Sequence, residues 1–221
     1  MHGPSSTLHS NALEMSNWAI TNLRRGSFAG RQILDPASYD VLWQPRVDTR
    51  DGRQVGLSWF LAAYRGEKCV QHGGGDTGFA THFIMLPDKQ AAVVVLCNMI
   101  PAPVEELAHS ALDILLGYPP TPVRPSACLP VFKTLAGQGL DAAAAHWNGL
   151  KASQPDDYDF GATHSDILYN AMSLDQVQPA ELIARLCART LPEAELKEIE
   201  AEFARYSCRA AAAIVSAIRG H

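Results

Sequence analysis

The sequence predicts an α+β fold, an antiparallel sheet flanked by helices, followed by an all-α extension. Three observations carry this. From Val55 to Asn98, apolar and aromatic stretches alternate with short turn-forming groups, the pattern of strands joined by tight connections. Residues Val104 to Leu116 then switch to the spacing of a helix with one apolar face. After Pro119, Pro120, Pro122 and Pro125, the chain turns alanine-rich and helical to its end.

The first residues, through Ser10, read as a loop. Ser10 or Asn11 caps a helix, with Asn11-Ala12-Leu13-Glu14 at capping-box spacing. Leu13, Met15, Trp18, Ala19, Asn22 and Leu23 form its stripe, with Trp18 expected as a core anchor, and it ends near Arg24-Arg25-Gly26. Pro36 opens a short second helix to Trp43, since proline suits a first helical position. Gly56 to Arg65 reads as a strand, and Arg65-Gly66-Glu67 as a tight connection into Lys68 to His72. Thr81 to Leu86 is a further strand and Pro87 to Gln90 a turn. Ala91 to Asn98 is apolar on both faces and is expected to be buried on both. Four strands with short connections describe an antiparallel meander, covered on one face by the helix carrying Leu107, Ala108, Ala111, Leu112 and Leu115. The proline-dense stretch, 118–130, is the expected linker between a sheet domain (1–117) and a helical extension (131–221). The extension divides into helices at Val131–Gln138, Leu140–Ser153, Thr163–Met172, Pro179–Thr190, Pro192–Tyr206 and Cys208–Ile218, as in a bundle or degenerate helical repeat.

Composition narrows the function. A chain of 221 residues, 47% hydrophobic, can bury the core of one domain or of one domain and a smaller unit. The net charge of −5 is spread without a basic run, which speaks against nucleic acid as a partner. No apolar run approaches the roughly 20 residues of a membrane-spanning helix. Met1 to Ser6 offer neither the basic nor the apolar region of a signal peptide, and the compartment stays open. Five scattered cysteines without a C-x-x-C pair read as reduced thiols, although Cys69 and Cys97 both fall in strand-like segments where they could be neighbours. His2, His9, His109, His146, His164 and His221 share no metal-binding spacing, so neither metal nor cofactor is expected.

The one stretch with the look of a reaction centre is Gln71-His72-Gly73-Gly74-Gly75-Asp76-Thr77-Gly78-Phe79. Glycine lets a ligand or another backbone approach the main chain, and a histidine beside it can donate, accept or carry charge near neutral pH. A glycine-rich hairpin with a structural histidine is the competing reading. His82 reads as structural, and Asp76 and Thr77 as residues that line the pocket or, the favoured reading, shape the hairpin. Ser5 and Ser6 lack a lysine three residues on, which argues against either as nucleophile.

Residues 1–117 resemble the serine β-lactamase-related hydrolases: class C β-lactamases, D-alanyl-D-alanine carboxypeptidases and β-lactamase-fold esterases. The matching segments come in the family's order. Ser10 to Trp18 resembles S-x-x-x-D-M-x-x-W, and Ile33 to Tyr39 resembles I-L-S-P-E-S. Val55 to Trp59 resembles Y-G-L-G-W, and His72-Gly73-Gly74-Gly75 with Gly78-Phe79 resembles H-x-G-x-x-x-G-F. Leu86-Pro87-Asp88 and Val93 to Asn98 complete the series. The resemblance implies the C-terminal part of a β-lactamase/transpeptidase-like domain. Around Tyr158-Asp159-Phe160 and Tyr169-Asn170, the extension is similar to the tetratricopeptide-like tail of some family members.

The resemblance also implies roles. His72 takes the place of the lysine or histidine that supports charge and hydrogen bonding beside the nucleophile. Gly73 and Gly74 take the places where a small residue lets substrate lie against the strand. Gly75 takes the place of the residue offering a backbone N–H to the oxyanion hole, a contribution worth a few kcal/mol in the transition state. The implied substrate is a small ester or amide, and the H-G-G form leans toward esterase or peptidase-like relatives. The family's S-x-x-K and its Y-x-N or Y-x-S occur nowhere in the sequence. The expectation is therefore a fragment inactive alone or, alternatively, a non-catalytic module, with self-association through an exposed sheet edge at Val93 to Leu96.

Overall fold

A computed structural model describes residues 8–49, 52–160 and 163–220, in two compact units. His2, Ser5, Ser6 and His221 lie outside the described residues, as does the side chain of His164. The first unit contains residues to Asn98 and Val104–Val123; the second contains Met99–Pro103 and the chain from Arg124.

In the first unit, α1 (Ala12–Leu23) begins where the Asn11 side chain accepts from the Glu14 amide, satisfying one of the donors that a helix start leaves open. Glu14 does not close the box on Asn11 but accepts from the Ser10 hydroxyl at 3.0 Å. A two-stranded ribbon, β1 (Ser27–Phe28) with β2 (Arg31–Gln32), leads to α2 (Pro36–Leu42), capped by Asp35 through the Ala37 amide at 2.8 Å.

The main sheet is an antiparallel meander of six strands in sequence order: β3 (Val47–Asp48), β4 (Gln54–Val55), β5 (Phe60–Tyr64), β6 (Glu67–Asp76), β7 (Phe79–Leu86) and β8 (Ala91–Cys97). The strand expected from Gly56 to Arg65 is broken. Leu57 donates to the Leu42 carbonyl at 2.9 Å and Ser58 has φ +62°, so only Phe60 to Tyr64 continue in the sheet. Gly56 is required there, because a Cβ would meet the Leu42 carbonyl oxygen at 2.3 Å. Arg65 and Gly66, with φ of +52° and +83°, form a two-residue turn whose positive φ values suit the twist of a hairpin. Pro87–Lys89 form a 3-10 turn into β8.

Alternation along the strands divides the core between two faces. Leu61, Val70, Phe83 and Met85 pack with Ala19 of α1, Tyr39 of α2 and Trp43; Cys69, Ile84 and Leu86 pack with Ala108 and Leu112 of α3 (Val104–Leu116). Val70, Ile84, Met85 and Leu86 are fully buried, each worth roughly 1.5–3 kcal/mol of apolar transfer. Several expectations fail by the same cause: periodicity finds a face but not its neighbour. Trp18 is 47% exposed, whereas Trp43 and Trp59 are the buried tryptophans of this unit, and Leu107 and Leu115 of α3 face outward. β8 is only half-buried, because it lies at the sheet's edge, with β7 its one strand partner among the described residues. Cys69 and Cys97 are not neighbours: Cys97 lies opposite Ala80 and, through it, Gly75, six residues along β6 from Cys69. All five cysteines are free thiols, and burial pushes that of Cys69 up to about 12.

One polar assembly ties sheet, helix and the proline-rich stretch together. Asp113 of α3 has no exposed surface, although it lies shallow and is shielded by its own partners. It accepts two bonds from the Arg65 guanidinium, both at 2.9 Å, one from the Tyr64 hydroxyl at 2.8 Å, and two from the backbone and hydroxyl of Thr121 at 3.0 and 2.6 Å. These bonds, with Arg65 first, hold the carboxyl far below the ordinary carboxylate range. Residues 118–123 are thus fastened to the first unit, while Pro125 and Ala127 bond to Asp159 in the second.

The second unit holds α4 (Cys128–Gln138), α5 (Leu140–Ser153), α6 (Thr163–Ser173), α7 (Val177–Thr190), α8 (Glu193–Phe203) and α9 (Arg209–Arg219). Helix α7 packs against α5, α6 and α9, with Ala180, Ala184 and Cys187 allowing close approach. Two prolines expected at or before helix starts, Pro130 and Pro179, sit instead in the third position of α4 and α7, where a helix still has no partner for an amide.

The Asp113 assembly makes a prediction. Asp113→Asn lowers unfolding stability in urea by about 2 kcal/mol, the charged hydrogen bonds being partly screened by water at half-exposed Arg65. A depressed carboxyl stabilises the fold above its unfolded pKa near 4 and loses that contribution as pH falls below it. The wild type therefore loses its advantage over the variant in melts taken below about pH 4.

Candidate functional site

The glycines are not a hairpin loop. Gly73, Gly74 and Gly75 are interior residues of β6, opposite His82, Thr81 and Ala80 of β7, and the turn comes later, at Thr77-Gly78. Gly78 takes φ +78° there.

Register gives this strand two different sides. On one, β7 pairs with β6 from Val70 to Asp76. On the other, β5 pairs only from Glu67 to Gln71, its last pair being Phe60 with Gln71. From His72 to Asp76 the strand therefore has a single strand partner among the described residues. Since successive strand residues turn their N–H and C=O groups alternately to either side, every second residue presents both to the open edge. Gly73, Gly74 and Gly75 put no side chain in the way.

The three glycines differ in what holds them. A Cβ at Gly74 would meet the Thr81 hydroxyl oxygen at 2.4 Å, so internal packing alone excludes a side chain there. At Gly73 a Cβ would have ordinary room, 3.7 Å from His82 Nδ1, and at Gly75 it would meet nothing within 4 Å. The openness at Gly75 serves no packing need.

His72 stands exposed at the head of this strip. Its Nδ1 lies 2.5 Å from the Gly73 carbonyl oxygen, which can only accept, so Nδ1 carries the proton and the lone pair of neutral imidazole is on Nε2. The ring packs on Phe60 at 5.4 Å, and the Arg53 guanidinium lies over the other end of that contact, 4.8 Å from the Phe60 ring. Asp76 accepts from the Thr77 amide at 2.7 Å, the hairpin-shaping place expected for both.

His82 is buried and donates from Nε2 to the Gln71 side-chain oxygen at 3.0 Å. Its ring lies 6.2 Å from that of His109 on α3, which stacks on Tyr64 at 4.6 Å, 6° from parallel. Burial pushes its pKa down; Glu105 opposes this, while His109, Arg53 and His72 add to it. Sequence reasoning missed this chain from Gln71 through His82, His109 and Tyr64 to Asp113. Its members are far apart in sequence, and the one available signal was an aspartate inside the apolar run Ala111 to Leu116. Among the described residues, no group of three or more His, Cys, Asp or Glu side chains is placed to hold a metal, and no helix is long and apolar enough to cross a membrane.

This sheet with its flanking helices belongs to a recognised family. The family model described as Beta-lactamase matches residues 1–116, and the chain is a member of the β-lactamase family. It is similar to the unguisins hydrolase ungD' of Aspergillus campestris (strain IBT 28561), 32% identical over 95 residues, which are 40% of this chain and 17% of that protein. Among solved structures it is similar to the octameric penicillin-binding protein homologue from Pyrococcus abyssi, with a TM-score of 0.47 and 21% identity over 58% of this chain and 29% of that one. The chain thus spans less than a third of either protein.

Two outcomes test the geometry. Gly74→Ala destabilises the fold by roughly 1 kcal/mol and Thr81→Ala in the same chain restores most of it, a coupling measurable by a double-mutant cycle in urea, whereas Gly75→Ala alone is neutral or slightly stabilising. For His82, a lowered folded pKa means that the unfolded chain binds the proton first. Its contribution is full above the unfolded value near 6.5 and is lost as pH falls below it. Melting temperatures of the wild type fall between pH 7 and 5 more steeply than those of His82→Gln, if the variant keeps the wild-type circular dichroism.

Proposed function

We propose that β6 from His72 to Asp76 is one wall of an acyl-transfer site acting on a small ester or amide. In such a site a serine attacks the carbonyl, an acyl-enzyme forms, and water releases it. The observation that carries this reading is the one-sided pairing of β6 along a strip of three glycines headed by an exposed histidine. Family membership supports the hydrolase class, and a relative named for hydrolysis of unguisins supports it further.

The roles follow from the atoms available. The Gly75 N–H is the donor for the developing oxyanion, already fixed in a strand, so little reorganisation is needed as charge develops. The His72 imidazole, its Nδ1–H engaged by Gly73, offers Nε2 to take or return a proton, a contribution of roughly 10²–10⁴-fold in a well-placed group. Gly73 and Gly74 leave the strand bare for the substrate. The nucleophile is not among these groups, because no S-x-x-K and no Y-x-N or Y-x-S occurs in the 221 residues. The same observation favours a second reading, a non-catalytic module that keeps this part of the fold.

Incubation of the purified 221-residue chain with a fluorophosphonate probe, a chromogenic ester and a chromogenic β-lactam separates the possibilities. The expected outcome is no stoichiometric labelling and no turnover. Labelling or turnover overturns both the placement of the nucleophile outside these residues and the non-catalytic reading. In any longer polypeptide containing this chain with an S-x-x-K, Gly75→Pro, which removes the N–H, lowers kcat by about 10²–10³-fold if the strip is the oxyanion wall. An unchanged kcat, in a variant that still folds, overturns the oxyanion-wall role of the strip.

A further inference from the structure

We infer that Phe60 is the positioning residue of His72: its ring holds the imidazole in the place and tautomer that leave Nε2 free for proton transfer. The role rests on the acyl-transfer reading of the same strip, and Phe60 acts through the imidazole rather than on the reacting atoms. His72 is loosely held by its own strand. It is exposed and stands just past the last pair of β5 with β6. Its one hydrogen bond among the described residues runs to the carbonyl of the next residue, Gly73. A bond between chain neighbours fixes little, because an exposed side chain hops between rotamers unless something across from it holds it. What reaches across is Phe60. Its ring centroid lies 5.4 Å from that of the imidazole with the planes 51° apart, within the range of favourable aromatic pairs.

The packing of the sheet does not call for an aromatic ring at Phe60. It is half-buried and takes part in neither core of the sheet. Its neighbour Leu61 packs with Val70 and Trp43 on one face, and Ala62 and Tyr64 pack around Cys69 and Ile84 on the other. The backbone of Phe60 is nonetheless fixed, opposite Gln71 of β6 and Val55 of β4, just after Ser58 at φ +62° turns the chain into the sheet. The Arg53 guanidinium, 4.8 Å from the ring centroid, adds a cation–π contact from the residue before β4. A ring held by its backbone and by a cation, and facing an exposed imidazole, is a platform for that imidazole. Packed on it, His72 keeps Nδ1 within reach of the Gly73 carbonyl, so the proton stays on Nδ1 and the lone pair on Nε2.

Long-range ¹H–¹⁵N spectra of the 221-residue chain test this, at about pH 8.5, above the range in which imidazole ordinarily titrates. The His72 signals are identified by their loss in His72→Gln. In the wild type they are expected to show the proton on Nδ1. Phe60→Leu is expected to shift the ratio of the two tautomers toward the Nε2–H form by roughly two- to tenfold, the range that an aromatic pair contributes. Phe60→Tyr, which keeps the ring, is expected to restore the wild-type ratio. Amide exchange at Val70 and Met85 as slow as in the wild type shows that the sheet is intact, and Phe60→Met replaces Phe60→Leu if the latter does not meet that standard. A wild type with the proton on Nε2, or a ratio unmoved by loss of the ring, overturns the inference. Because the readout is a tautomer and not turnover, the two claims fail separately: labelling and turnover judge the acyl-transfer reading, and the spectra judge Phe60.

Discussion

The unequal pairing of β6 is the constraint on which the rest depends. Its ten residues are matched along one side by β7 as far as Asp76, but β5 gives out at Phe60, opposite Gln71. Gly56 and Ser58 cause that early end, since the chain must turn there to bond back to Leu42. A longer β5 would have consumed the backbone groups of His72 to Asp76 in a sheet. Because it stops, the segment from His72 to Asp76 of this central strand has a single strand partner among the described residues.

Rigidity comes from beneath and beside that strip. Val70 and Cys69 anchor β6 in the two cores, Thr81 fills the space that a side chain at Gly74 would need, and His82 bonds back to Gln71 just before the open segment begins. On the same face, Tyr64, Arg65 and Thr121 converge on Asp113, so the β5–β6 turn, α3 and the start of the proline-rich stretch move together or not at all. Satisfied polar networks of this kind favour one arrangement over near alternatives, because any slip leaves a charged group unpaired.

Local chemistry was legible in the sequence where a residue acts on its own neighbours. Asn11 and Asp35 as caps, Pro36 at a helix start, Arg65-Gly66 as a turn and the apolar runs of β6 to β8 all follow from spacings of a few residues. What lay opposite each element was not legible. Trp18 and Leu115 fall on apolar stripes yet face outward, and β8 is apolar on both faces yet lies at the sheet's edge among the described residues. The glycines misled in a specific way: three in a row suggest a loop, but flanking β-formers and the partner Thr81 hold them in a strand. Asp113 and its ligands, 48 or 49 residues apart on one side and 8 on the other, had no signature that spacing could reveal.

The account turns on whether the backbone from His72 to Asp76 is open on one side in solution. Amide hydrogen exchange resolved by residue measures this directly. The account predicts alternation within this segment, with amides facing β7 protected like those of Val70 and Met85 and the intervening ones exchanging orders of magnitude faster. Uniform protection from His72 to Asp76 would mean that another strand covers the edge, and would contradict the proposed wall.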